Sequence, residues 1–366
     1  MRKAYKYRLF PTKAQRTRLN ETLEGCRWVY NKTLEVRKDS WEQEKKPVSK
    51  YDTIRMLPLW KAENERLKLV HSQVLQETCQ RVDLAFRAFF RRVKSGEAPG
   101  YPRFKAYGRY DSLTYPQSGF DLRDNKLKLS KIGAVKIKHH RPLVGQCKTL
   151  TIRRDRIGNW YACFSCVVEA NVLPPADKVV GLDLGLTTFG QLSNGETIEG
   201  QRWFKQDEKD LKRIQRKVSA LPKGSPERGK AVKALNHVHQ RISNRRKDFA
   251  HKESRKLVDK YQVMVFEDLD IVGMQQDTFK TITKGVSDVA WDRFVQSTVA
   301  KAEEAGRTVV LVDPKNTTQL CSGCGQIVPK DLSVRVHDCP DCGLKMSRDL
   351  NASINILARG LASLGR

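Results

Sequence analysis

Four cysteines and one aspartate near the C-terminal end have the spacing that most narrowly limits their chemistry. Cys321-Ser-Gly-Cys324 is followed after fourteen residues by Cys339-Pro-Asp-Cys342, and Asp349 stands seven residues further on. Two Cys-x2-Cys knuckles offer four thiolates to one tetrahedral ion, which reads as zinc, although the gap sits just under the usual ribbon range of roughly 15–20 residues. Gly325 and Gly343 follow the second cysteine of each knuckle, where the turn tolerates positive φ. Four protein ligands leave no open position, so the zinc is predicted to be structural and His337 a bystander.

Asp349 finds two possible companions upstream. Val179-Val-Gly-Leu-Asp183 and Val263-Met-Val-Phe-Glu267 are apolar strands that each end in an acid. Alternation sets Glu267 on the face of Val263 and Val265, a costly place for an unpaired carboxylate. Three acids at element ends can share two divalent cations about 3.5–4 Å apart, one activating water and the other stabilising the leaving oxygen of a phosphodiester. Hard oxygen ligands favour magnesium or manganese over zinc there. No Ser/His/Asp or Cys/His arrangement competes, and no P-loop points to nucleotide hydrolysis. Cys163 and Cys166 lie in a strand-like run, where residues three apart face opposite ways, so they are predicted to pack and not to chelate.

Composition agrees with a nucleic-acid partner. The 366 residues carry 69 Lys and Arg against 41 Asp and Glu, a net charge of +28 spread along the chain. Such an excess implies a long polyanion and steep salt dependence. Hydrophobic content of 39% with 30% charged residues predicts a soluble globular protein of two or three domains. No run approaches the roughly 18 apolar residues of a membrane span. The N-terminus lacks the apolar core of a signal peptide, so a cytoplasmic location with reduced cysteines is expected.

These residues need elements to position them. Residues 3–10 read as a strand stopped by Pro11, and Thr12 caps a helix with Leu19, Leu23, Cys26, Tyr30 and Leu34 on one face. A second helix over about 72–93 is predicted to bury Val74, Leu75, Val82, Phe86 and Phe89. Short strands at 126–129, 134–138, 149–153 and 159–168 predict a small antiparallel barrel or sandwich. The opening strand can join it, which would make the helices an insertion. After Pro174-Pro175 come the Asp183 strand, further strand to about 198, and a charged helical hairpin over 203–260, broken at 221–226. The Glu267 strand, a stretch with Gly273 and Gly285, a helix at Trp291–Ala305, a strand at Thr308–Val312 and a last helix from 348 complete an α/β pattern. In the hairpin's second arm, Arg241, Arg245, Arg246, Lys247, Lys252, Arg255 and Lys256 read as unpaired charge for phosphate contact.

Together the motifs resemble TnpB, the transposon-encoded RNA-guided DNA endonucleases related to type V CRISPR effectors, over essentially the whole chain. Gly181-Leu-Asp183-Leu-Gly resembles the first motif of the RuvC nuclease domain, Phe266-Glu267-Asp-Leu the second, and Ser347-Arg-Asp349-Leu-Asn-Ala the third. Asn316-Thr-Thr-Gln-Leu-Cys resembles the approach to the zinc ribbon, and Gly100-Tyr-Pro-Arg-Phe-Lys and Leu113-Thr-Tyr-Pro-Gln the N-terminal signatures. Val286-Ser-Asp-Val-Ala-Trp291 resembles the segment after the active-site lid. Ser347 and Ser353 depart from the residues usual there, away from the three acids.

The resemblance implies a multidomain α+β fold. A wedge-like β-barrel (1–10 and 96–174) would hold an inserted helical recognition module (11–95). An RNase H-like RuvC domain (175–316 and 346–366) would carry the helical hairpin (203–260) and the zinc ribbon (317–345). Asp183, Glu267 and Asp349 would be the catalytic, magnesium-binding acids. The partners would be a guide RNA from the transposon end and double-stranded DNA with a short adjacent motif, bound by a single protein chain. Beyond the motifs, Gln73, Gln76 and Gln80 form a polar stripe able to read adenine edges, and Arg348 joins the predicted nucleic-acid contacts. Alternatives are an RNA-guided repressor without cleavage, which would be expected to have lost an acid, and a transposition accessory protein or transposase. No His-hydrophobic-His motif with a downstream tyrosine supports strand transfer.

Overall fold

In the structure, a computed structural model, the opening strand β1 (Arg2–Phe10) lies inside a sheet whose other members come a hundred residues later. Residues 1–200, 203–269, 291–331 and 333–365 are described, 203–206 by backbone alone; the stretch with Gly273 and Gly285 and segment 286–290 lie outside them. The chain divides into two units, Met1–Glu169 and Ala170–Arg366.

In the first unit β1 is joined by β2 (Ser112–Tyr115), β3 (Phe120–Arg123), β4 (Lys126–Leu129), β5 (Gly133–Lys138), β6 (Gln146–Arg154) and β7 (Trp160–Val167). They form a seven-stranded antiparallel near-barrel sheet in the order β2-β6-β7-β1-β5-β4-β3. Tyr5, Tyr7 and Leu9 alternate inward from β1, while Lys6 and Arg8 lie over the Tyr161 ring. Cys166 is buried opposite Cys147 of β6, and Cys163 points to the other face. Because β1 sits mid-sheet, the helices between β1 and β2 are an insertion. They are α1 (Lys13–Glu44), α2 (Lys50–Arg55), α3 (Leu57–Glu63), a 3-10 turn (Glu65–Leu69) and α4 (Ser72–Lys94).

Thr12 caps α1 in a reciprocal box with Gln15, and Leu19, Leu23, Cys26, Tyr30 and Leu34 are buried against α4. An Arg37–Asp83 ion pair of 3.1 Å joins the two helices. The stripe on α4 outruns this core: Phe86 is buried, whereas Phe89, expected inside, is only half-buried. Phe89 meets the rings of Phe90 and Tyr101 instead.

The second unit contains β8 (Val179–Leu184), β9 (Gly190–Leu192), β10 (Thr197–Ile198), α5 (Trp203–Ala220), α6 (Pro226–Lys260), β11 (Val263–Glu267), α7 (Trp291–Ala305) and β12 (Thr308–Val312). The two-stranded ribbon β13 (Val336–Asp338) and β14 (Lys345–Ser347) precedes the last helix, α8 (Arg348–Ser363). The main sheet runs β10-β9-β8-β11-β12, with β8, β11 and β12 parallel. Helices cover both faces. Val180, Leu182, Met264 and Phe266 pack with residues of α6 and α7, while Val263 and Val265 pack on Ile356 and Leu357 of α8. This is the RNase H-like arrangement the resemblance implies.

Two glycines let α8 lie directly on the strands. A Cβ at Gly181 would stand 2.2 Å from the Ser353 carbonyl oxygen, and one at Gly360 would stand 2.4 Å from the Val265 side chain. Ser353 is fully buried, its hydroxyl donating to the Leu350 carbonyl.

Candidate active site and metal centre

Register brings the first two acids together. Val265 pairs with Gly181 and Phe266 with Leu182, so Glu267 and Asp183 end neighbouring parallel strands side by side. Both follow the alternation of the face that α8 covers, and Asp349 lies in the first turn of α8, where a helix N-terminus favours negative charge. The C-terminal edge of a parallel sheet is where open α/β folds gather their sites.

The electrostatics show how near the three acids are. Desolvation, then the charges of Glu267 and Asp349, push the Asp183 carboxyl up to about 7, with Arg348 opposing. Burial also raises Glu267, against a hydrogen bond from Thr317 and the charge of Arg359. Burial and mutual charge of this kind are what a divalent cation would offset, so the three carboxylates fit such an ion by donor chemistry. Their oxygens do not all lie within 4.8 Å of one another; among the described residues the cysteine quartet alone meets that spacing.

Three further residues hold the acids in place. The Thr317 hydroxyl donates to Glu267 Oε1 at 2.5 Å. Arg359 Nη1 donates to the carbonyls of Asp313 and Lys315, fixing the loop that leads to Thr317. Arg348, predicted to touch nucleic acid, donates from Nε and Nη2 to Asp349 Oδ1 at 3.2 Å and from Nη1 to the Val334 carbonyl of the ribbon. It orients the acid. Thr317 and Arg359 left no mark in the motif pattern beyond the polar run Asn316-Thr-Thr, because their partners are distant in sequence.

The quartet closes as its spacing requires. Cys321 and Cys342 sulfurs are 3.6 Å apart, as are Cys324 and Cys339. A tetrahedral zinc with bonds of about 2.3 Å needs sulfurs about 3.8 Å apart, so the set fits that ion. Gly325 and Gly343 take φ of 79° and 72°. Although desolvation raises it, backbone amides of Cys324 and Gly323, with His337, bring the Cys321 thiol down to about 5. His337 is not part of the clustered ligand set. It is fully buried beside that sulfur, and its Nδ1 shares a 2.6 Å hydrogen bond with Lys330 Nζ.

Asparagines of α8 fasten the first knuckle to the helix. Asn351 accepts from the Ser322 amide at 2.9 Å and donates to the Leu320 carbonyl at 2.7 Å. Asn355, one turn later, donates to the Thr317 and Leu320 carbonyls. The metal centre, the Thr317–Glu267 bond and the helix bearing Asp349 thus form one hydrogen-bonded block.

The other predicted nucleic-acid residues fare differently. Arg241 and Arg245 grip the buried Asp207 at 2.5 and 3.0 Å, locking α6 to α5. Lys252, Arg255 and Lys256 pair with Asp248, Asp259 and Glu253 on their own helix, and Arg246 and Lys247 also have partners. The supposedly unpaired charge of this arm is largely taken up by structure. On α4, Gln73 accepts from Ser118 and Gln80 from Lys50, leaving Gln76 as the exposed member of the stripe.

Comparison with known proteins accords with this geometry. Residues 164–278 match the family described as "Probable transposase", 291–356 the Cas12f1-like TNB domain, and 1–46 a helix-turn-helix domain. That last segment folds as β1 followed by the single helix α1. A Streptomyces pristinaespiralis protein named as an RNA-guided DNA endonuclease is 35% identical over 99% of this chain and 90% of its own length. InsQ of Escherichia coli (strain K12), named likewise, is 28% identical over 99% of this chain and 93% of its own length. Among solved structures, a Cas12f1–sgRNA–target DNA complex superposes with a TM-score of 0.60 at 14% identity, covering 92% of this chain and 81% of that one. A CRISPR-Cas_phi3 mini-RNA-guided endonuclease gives 0.52 at 10% identity, over 100% of this chain and 93% of that one. Among the described residues no helix is long and apolar enough to cross a membrane.

Proposed function

Since the chain belongs to the TnpB-type RNA-guided DNA endonucleases, we propose that it binds a guide RNA transcribed from a transposon end and cuts double-stranded DNA beside a short motif, as one protein chain per complex. The observation that carries this reading is the convergence of Asp183, Glu267 and Asp349 at one end of the parallel sheet, with Asp183 pushed up to about 7 partly by the other two. These three would hold two magnesium ions, whose bound chemistry is an activated water and a stabilised leaving oxygen. Thr317 holds Glu267 and Arg348 orients Asp349, which would fix the carboxylates for the ions.

Base pairing with the guide would supply sequence specificity, while the protein reads backbone shape and the adjacent motif. Gln76 remains the glutamine open to a base edge. The presence of all three acids favours cleavage over a purely binding role. The test is to isolate the protein with its RNA, reprogramme the guide segment, and challenge a plasmid library randomised beside the target. Guide-dependent cuts next to one enriched motif are expected. Cutting that ignores the guide sequence would overturn the proposal.

A further inference from the structure

The apolar stripe of α4 continues past its core, and the surface it makes there is aromatic and basic. Phe86 is 7% exposed, whereas Phe90 and Tyr101 are 60% and 46% exposed. Tyr101 meets Phe86 and Phe89 edge-on at 5.6 and 5.4 Å, and Phe89 meets Phe90 at 5.2 Å. Four rings thus form one continuous surface, anchored at Phe86, over which Arg37 lies at 4.5 Å.

The charge beside the rings is positive. Glu97 is engaged with Arg92 and Asp83 with Arg87, while Arg91, Lys94 and Arg103 are exposed with no acidic partner among the described residues. Rings alone would suit any apolar partner. Rings edged by unpaired cations match a chain of phosphates that also presents flat bases. Exposed aromatic surface of this kind is costly to keep without such a use.

We propose that Phe89, Phe90 and Tyr101 form a stacking platform for unpaired nucleotides of the bound RNA, with Arg91, Lys94 and Arg103 meeting the adjoining phosphates. On the function proposed above DNA would be engaged for cutting at the carboxylates of the second unit, so RNA is the occupant assigned here. The inference rests on the RNA partner proposed above but not on cleavage, and Asp183→Asn protein is expected to match wild type in RNA crosslinking and RNA affinity.

The test is photo-crosslinking of the full chain to single-stranded oligonucleotides of mixed sequence carrying 5-iodouridine or 5-iododeoxyuridine. The RNA probe is expected to give an adduct on Phe90 or Tyr101, at lower concentration than the DNA probe. Phe90→Ala with Tyr101→Ala should weaken RNA binding about tenfold, leave the salt slope unchanged and keep the melting temperature; Phe90→Trp should retain affinity. Arg91→Gln with Lys94→Gln should instead reduce the slope by about 1.4, at about 0.7 for each phosphate no longer neutralised. RNA bound without adducts here would overturn the platform alone, and no RNA binding at all would overturn the partner reading as well. Adducts with the DNA probe only would overturn the assignment to RNA. A wild-type dimer dispersed by Phe90→Ala, seen by sedimentation, would make the patch a protein interface and overturn the proposal.

Discussion

Replacing the central acid should make the protein more stable while disarming it. The Asp183 carboxyl rises from its ordinary 3.8 to about 7 through desolvation and the charges of Glu267 and Asp349. The native state therefore binds an extra proton between those values, and stability falls as pH climbs through that window. Each tenfold of proton affinity is worth about 1.4 kcal/mol, so the whole rise is on the order of 4 kcal/mol at pH 8. Partial solvent access and sharing of protons among the three acids reduce this to about 1–3 kcal/mol. Asp183→Asn keeps the shape and removes the charge. In a unit of this size each kcal/mol moves the melting temperature by roughly 2–4 °C, so the RNA-free variant should melt roughly 2–12 °C above wild type at pH 8. At pH 5.5 wild type is already largely protonated when folded, and the gap should fall to about half. Scanning calorimetry in magnesium-free buffer, with zinc left in place, reads both values. Adding magnesium should raise wild type and not the variant. A variant no more stable than wild type at pH 8, or a gap that does not narrow toward acid, would refute the burial and mutual charge assigned to Asp183.

Other consequences follow from individual side chains. Thr317→Val removes the bond to Glu267 and should slow DNA cleavage about ten- to a hundredfold with RNA and zinc content unchanged, whereas Thr317→Ser should restore most of the rate; single-turnover kinetics decides this. Cys339→Ser should lose the one zinc expected per chain, measured by atomic absorption. Cleavage should fall with it, because the first knuckle is bonded to Asn351 and Asn355 of the helix bearing Asp349. Arg241→Gln leaves Asp207, 7% exposed, with one cation fewer. It should cost about 1–3 kcal/mol in stability while changing the salt slope of RNA binding by less than one phosphate's share; a drop of a full share would return Arg241 to the phosphate-binding set.

What could be read beforehand was whatever depends on local spacing. The two knuckles, the capping box at Thr12, the buried face of α1 and the acids at strand ends all follow from periods and turn chemistry within a few residues. Interactions across distant segments were not legible. Arg241 and Arg245 look like free charge until Asp207, more than thirty residues earlier, is brought against them by the hairpin. Gln73 and Gln80 look like a reading stripe until Ser118 and Lys50 occupy them. Strands β2 and β3 lack the alternation that β4 shows at the same length, and are set by pairing with β6 and β4. Phe89 fits the helical period of a core residue, but a period says nothing of where the opposing core stops.

If Asp183, Glu267 and Asp349 form one site that cuts guide-paired DNA, removing one of them must separate binding from cutting. The decisive experiment loads wild-type and Asp349→Asn protein with the same RNA and follows, in magnesium, both binding and cleavage of a matched target. The variant should bind RNA and target within about twofold of wild type while its cleavage rate falls by about 10³ or more, as loss of a metal-holding carboxylate requires. Cleavage by Asp349→Asn at the wild-type rate would contradict a three-acid site.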